Sequence, residues 1–92
     1  MKNFRFIHCA DLHLDTPFSG MGELYPEVRN KLIRATFKAF DRIIDLCIDR
    51  DVDFLLVAGD TFERRNPSLK AQLYFLSGLK RLAEAGIHSY VV

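Results

Sequence analysis

The chain has 92 residues, 49% of them hydrophobic, with 13 Lys and Arg against 12 Asp and Glu, a net charge of +1. A chain of this length is at most one small domain, burying roughly 60–65% of its unfolded surface; its balance excludes disordered and collagen-like classes and gives no electrostatic reason to expect a nucleic-acid partner. No apolar run approaches membrane-spanning length and Met1 to Phe6 carry no export signal. Cys9 and Cys47 lie far apart inside apolar segments, so reduced core thiols in a cytoplasmic protein with no membrane partner are expected.

Phe4 to Cys9 is short, aromatic and β-branched, which predicts a first strand. Asp11 to Glu23 holds Pro17, Gly20 and Gly22 and reads as a long loop at the carboxyl end of that strand. From about Pro26 to Arg50, the residues Val28, Leu32, Ala35, Ala39, Phe40, Ile43, Ile44, Cys47 and Ile48 recur at helical spacing, predicting an amphipathic helix.

Asp53 to Ala58 is a continuous apolar run bounded by Gly59, too short for a helix, and reads as a central strand covered on both faces. Asn66 before Pro67 signals a helix start and Gly86 a stop. The second helix is thus expected over roughly Pro67 to Ala85, with Leu69, Leu73, Leu76 and Leu79 as its buried stripe. Ile87 to Val92 reads as a third strand. The fold class is α/β: a β-α-β-α-β unit with a parallel sheet and right-handed crossovers.

Ligands of parallel sheets gather at the carboxyl ends of the strands. Asp11, His13 and Asp60 fall there. An Asp and a His two residues apart on nearly extended backbone project to one side and can share one metal ion. Imidazole and carboxylate together suit Mn, Fe or Zn better than Ca. Gly59 before Asp60 permits close approach, and a carboxylate can bridge two ions. Two ions about 3.5–4 Å apart would clamp a phosphate and acidify a bridging water. Each pair alone is common; their conjunction at the ends of two parallel strands is what points to a metal site.

The stretch from Phe6 through Cys9-Ala10-Asp11-Leu12-His13-Leu14-Asp15-Thr16-Pro17 to Phe18, with Asp53 through Ala58-Gly59-Asp60-Thr61 to Phe62, resembles the calcineurin-like metallophosphoesterase superfamily. Within it the likeness is to the SbcD-type DNA-repair exonucleases, YhaO-like branch. It extends over essentially the whole chain, including Ser68 to Gln72 and the Ala85-Gly86-Ile87 turn.

That resemblance implies the first part of an αββα sandwich and metal-dependent phosphodiester hydrolysis, as a DNA exonuclease in repair. Asp11 and His13 would hold the first of two divalent ions, most often Mn with Fe or Zn as alternatives, and Asp60 would bridge to the second. Asp60 and His13 become the expected catalytic residues. DNA and an SMC-like ATPase are the implied partners.

The family's next motif, Gly-Asn-His-Asp after the third strand, and its later histidines are not among these residues. The expectation is therefore an amino-terminal part, residues 1–92, of one longer catalytic domain. An uncovered sheet face would then favour self-association. A phosphatase or cyclic-nucleotide phosphodiesterase of the same superfamily is the alternative enzyme, and a non-catalytic self-associating fragment the alternative class.

Other residues carry weaker expectations. Asp15 can hydrogen-bond a metal ligand from behind or form an Asx turn before Pro17. Arg64 and Arg65 lie close enough to Asp60 in the chain to meet a phosphate, though a solvated loop is the plainer reading. Lys31, Arg34, Lys38 and Arg42 alternate with acids and read as a solvated helix face. His8 and His88 read as satisfied core histidines.

Overall fold

The computed structural model describes residues 3–15, 25–62 and 68–92. Three strands, β1 (Phe6–Ala10), β2 (Phe54–Ala58) and β3 (His88–Val91), alternate with two helices, α1 (Pro26–Asp49) and α2 (Leu69–Glu84). All pairings are parallel and the order is β1-β2-β3, so the apolar run around Leu55 is the central strand, as its composition predicts. The register sets Phe6 beside Phe54 and Ala10 beside Ala58 on one side, and Phe54 beside His88 on the other. At the amino-terminal edge, Arg5 N–H donates to Asp53 Oδ2 at 2.8 Å while Asp53 N–H donates to the Arg5 carbonyl, also at 2.8 Å.

Each helix is bounded by local chemistry. Pro26 opens α1, where a missing N–H costs nothing. Its far end turns at Asp51, whose φ is 49°, with Asp51 N–H donating to the Ile48 carbonyl and Val52 N–H to the Cys47 carbonyl. This is a Schellman stop made without glycine. The second helix repeats it with Gly86 at φ 79°, Gly86 N–H reaching Ala83 and Ile87 N–H reaching Leu82. Its start is capped by the Ser68 hydroxyl, which accepts from Ala71 N–H at 3.0 Å. The predicted Asn66-Pro67 start lies outside the described residues.

Successive strands are added in one direction, so crossovers of one hand place both helices on one face of the sheet. Burial follows that geometry: Leu55 and Val57 are fully buried beneath the helices with Phe40, Ile44, Cys47 and Leu82. Phe54, Leu56 and Ala58, pointing the other way, are only half-buried. The expectation that β2 is covered on both faces is thus not met among the described residues. His8 and His88 share the uncovered face and are exposed, which replaces the core-histidine reading.

The helix contacts correct a second expectation. On α2 the buried residues are Ala71, Phe75, Gly78 and Leu82. Leu69, Leu73 and Leu76 are 70%, 56% and 60% exposed, and of the predicted stripe Leu79 alone packs against the core. The physical reason is the ring of Phe40: a Cβ on Gly78 would lie 2.4 Å from it, so the small residue marks where α1 and α2 touch. On α1 the seam is Phe37, Phe40, Ile44 and Cys47, with Ala35, Ala39 and Ile48 turned outward. Tyr74 joins the seam by packing against Phe37 at 4.6 Å between ring centres and donating its hydroxyl to Asp41. That bond, and then burial, raise its pKa. Arg81 and Asp45 close the outer side at 2.7 Å.

Both cysteines are free, Cys47 buried and Cys9 half-buried against the core. Burial raises both thiols, and Cys47 is raised further by its neighbour Cys9. Neither is an activated nucleophile.

Candidate metal centre

The carboxyl ends of β1 and β2 are zipped together past the last strand residues. Asp11 N–H donates to the Ala58 carbonyl at 3.1 Å, His13 N–H to the Asp60 carbonyl at 3.2 Å and Leu14 N–H to the Thr61 carbonyl at 2.9 Å. Asp60 N–H returns a bond to Asp11 Oδ1 at 3.0 Å. Together these bonds hold the Asp11–Leu14 segment against the end of β2 and the Gly59–Thr61 segment. Leu14 is buried, pinning the described part of the first loop to the core.

The backbone here is not extended. Asp11, His13 and Asp15 take φ values of 53°, 46° and 64°, all left-handed. The expectation that Asp11 and His13 project together from a nearly extended strand is corrected accordingly: β1 ends at Ala10 and both residues belong to a coiled loop. Non-glycine residues in this region cost of order 1–3 kcal/mol each and persist only where the surroundings over-determine them. The cross-loop hydrogen bonds and the buried Leu14 do so. Asp is among the residues that tolerate the conformation best.

Gly59 is left-handed as well, at φ 73°, and a Cβ there would stand 2.1 Å from Asp11 Oδ1. The glycine is required twice, by conformation and by the carboxylate that lies against it. The Gly59-Asp60 pair predicts close approach of backbone or metal; what lies against Gly59 is the Asp11 carboxylate.

Asp11, His13 and Asp60 thus share one edge of the sheet. Among the described residues, however, no three His, Cys, Asp or Glu side chains converge tightly enough to enclose an ion. Asp11 and Asp60 are exposed and His13 is half-buried. Their chemistry, two carboxylates and an imidazole, fits a divalent ion of the Mn, Fe or Zn kind. The glycine-lined cradle over Asp11 fits as well, since it keeps that carboxylate oriented and unobstructed.

Asp15 follows Leu14 in the same loop. Its N–H donates to Thr36 Oγ1 of α1 at 3.1 Å, and that hydroxyl donates in turn to the Ile33 carbonyl at 2.6 Å. Thr36 carried no signal in the sequence, being one polar residue on a helix with many. Arg64 and Arg65 lie outside the described residues, as do the loop residues from Thr16 to Leu24. No helix among the described residues is long and apolar enough to cross a membrane.

Comparison with known proteins fits this geometry. YhaO of Bacillus subtilis, an uncharacterized metallophosphoesterase, is 42% identical over 92 residues, all of this chain and 22% of that protein. The DNA double-strand break repair protein Mre11 of Methanosarcina mazei is 37% identical over 86 residues, covering 94% of this chain and 13% of that one. A component of the nuclease SbcCD of Bacillus subtilis is 27% identical over 88 residues, 96% of this chain and 20% of that one. The chain therefore spans about a fifth or less of the length of these relatives. The sequence profile of the calcineurin-like phosphoesterases matches residues 4–92, and with nearly every residue inside that match, the chain belongs to this family of metal-dependent phosphoester hydrolases.

Proposed function

We propose that this chain is the amino-terminal part of a single metallophosphoesterase domain whose whole acts as a DNA exonuclease in repair, in the cytoplasm. The observation that carries the reading is the zipped pair of strand-end loops, which brings Asp11, His13 and Asp60 to one edge of the sheet. Relatives that are named for double-strand break repair and for a nuclease support DNA as the substrate. An SMC-like ATPase as partner belongs to the same reading.

In it, Asp11 and His13 would hold a divalent ion and Asp60 would share in binding a second, with Mn as the metal. Such ions, when bound, neutralise phosphate charge and acidify water. The chain's own contribution is positional. The Asp60 N–H fixes the Asp11 carboxylate, and the His13 backbone is held left-handed in the same loop. Gly59 keeps the space over that carboxylate free of side-chain atoms.

Asp60→Asn isolates the charge from the fold, because the backbone N–H that bonds to Asp11 is retained. We expect Mn binding to be abolished in titration calorimetry. Unchanged affinity would show that the carboxylate is structural. Nuclease activity is to be sought in the full-length protein, by comparing DNA ends, phosphomonoesters and cyclic nucleotides with and without Mn; hydrolysis of the small esters alone would move the assignment to a phosphatase or phosphodiesterase.

A second reading, self-association of the chain, is favoured by the aromatic sheet face. Phe6 and Phe54 stack there at 4.9 Å between ring centres with planes 5° apart, and Tyr90 meets Phe54 edge-on at 5.6 Å.

A further inference from the structure

We propose that Thr36 is a positioning residue for the metal loop. Its hydroxyl links α1 to the backbone of the segment Asp11–Asp15. This inference rests on the metal reading of Asp11 and His13.

The segment is bonded to the second loop as far as Leu14, whose N–H meets Thr61. The next donor, Asp15 N–H, turns to the helix layer and meets Thr36 Oγ1 at 3.1 Å. That oxygen cannot swing freely, because its own proton is given to the Ile33 carbonyl at 2.6 Å. A hydroxyl whose proton is committed in this way presents a lone pair in a fixed direction, which suits an acceptor for one backbone N–H. Asp15 is left-handed at φ 64°, the third such residue in alternation after Asp11 and His13. A strained backbone of this kind keeps its shape only while both of its ends are held.

The strand ladder holds one end. Buried Leu14 and the Thr36 hydroxyl hold the other, with His13 between them. Thr36 is distant from His13 in the chain, and the long α1 delivers it only because the helix packs back over β1.

Thr36→Val keeps β-branching and shape but removes the acceptor, and Thr36→Ser keeps the acceptor. Two readouts are taken on each in the full-length protein: amide hydrogen exchange at Asp15 and His13, and Mn affinity by calorimetry. Thermal unfolding by circular dichroism serves as the control for folding. Expected for Thr36→Val is loss of Asp15 amide protection and Mn binding weakened by about tenfold or more, the range for residues that orient a metal ligand from behind. Thr36→Ser should restore both.

Equal Mn affinity in wild type and Thr36→Val, with folding intact, overturns the proposal. If Thr36→Val fails to fold, Thr36→Ser and Thr36→Ala are compared instead, and equal Asp15 protection in those two overturns it. A wild-type full-length protein without Mn affinity refutes the metal reading. The positioning claim is then decided by exchange alone: protection of Asp15 lost in Thr36→Val upholds it, and protection retained overturns it.

Discussion

The two faces of the sheet are built from alternating positions of the same three strands yet have opposite fates. Ile7, Cys9, Leu55 and Val57 lie under the helices, and Leu55 and Val57 are wholly buried. Phe6, Phe54, Leu56 and Tyr90 are as apolar, but nothing among the described residues covers them, and Phe6 and Tyr90 remain 48% and 54% exposed. Hydrophobicity does not decide which face is core. The side on which the crossovers return decides it, and with strand order β1-β2-β3 both return on one side. The covered face packs against α1 and α2, while the open face carries stacked rings.

The largest test of this contrast is one pair of neighbours on one strand. Leu55→Ala removes a fully buried side chain and is expected to cost about 2–5 kcal/mol, including the cavity left behind. Leu56→Ala deletes the same atoms from the half-buried face, where no cavity forms, and should cost about 1 kcal/mol or less. Urea denaturation of the two variants measures the difference. Equal losses would mean that the open face is covered in solution.

A smaller effect tests the seam between the helices. A Cβ at position 78 would stand 2.4 Å and 2.5 Å from two atoms of the Phe40 ring. Gly78→Ala would gain helix propensity of up to about 1 kcal/mol were the site open, but overpacking typically costs about 1–3 kcal/mol, so the net expectation is destabilisation. Gly78→Ala combined with Phe40→Leu, which clears the ring, should recover part of the loss. If the single variant is stabilised, the helices do not meet at Gly78.

These positions also show what could be read from the sequence. Strand and helix order, the central place of β2, the stop at Gly86 and the gathering of Asp11, His13 and Asp60 at one sheet edge follow from period, breakers and topology. What escaped is instructive. The second helix has two apolar faces, and counting large side chains selects Leu69, Leu73 and Leu76. The true contact runs through Ala71, Phe75 and Gly78 because Phe40 of the other helix requires a small residue opposite it. A contact made by absence of atoms has no hydropathy signature.

The coiled loop after Ala10 escaped for a similar reason. Its left-handed residues Asp11, His13 and Asp15 are stabilised by partners far along the chain, at Ala58 to Thr61 and at Thr36, and nothing local in Asp11 to Asp15 specifies them. Gly59 was legible because it ends an apolar run that reads as a strand, where glycine permits a close approach.

The smallest expected effect concerns what the open face does when the chain is alone. Three strands about 4.8 Å apart and five residues of about 3.3 Å rise make a patch on the order of 14 by 17 Å. Two such patches face to face bury on the order of 500 Å² in total, well below the roughly 1,200 Å² of a stable specific interface and in the range of weak contacts. Among the described strand residues the face has no Lys, Arg, Asp or Glu to oppose a second copy: it presents Phe6, His8, Phe54, Leu56, His88 and Tyr90, with Ala10 and Ala58 at one end.

A weak dimer follows, with a dissociation constant in the range of about tens to hundreds of micromolar. Sedimentation velocity across that range should show the weight-average mass rising with concentration. Phe6→Lys, which sets one ammonium against another across the dimer, should return it to the monomer value without altering the urea midpoint. A wild-type chain that stays monomeric throughout refutes association. If association persists in Phe6→Lys but is lost in Leu73→Lys, the sticky surface is the exposed leucine face of α2, and the aromatic face of the sheet is tolerated by water as it stands.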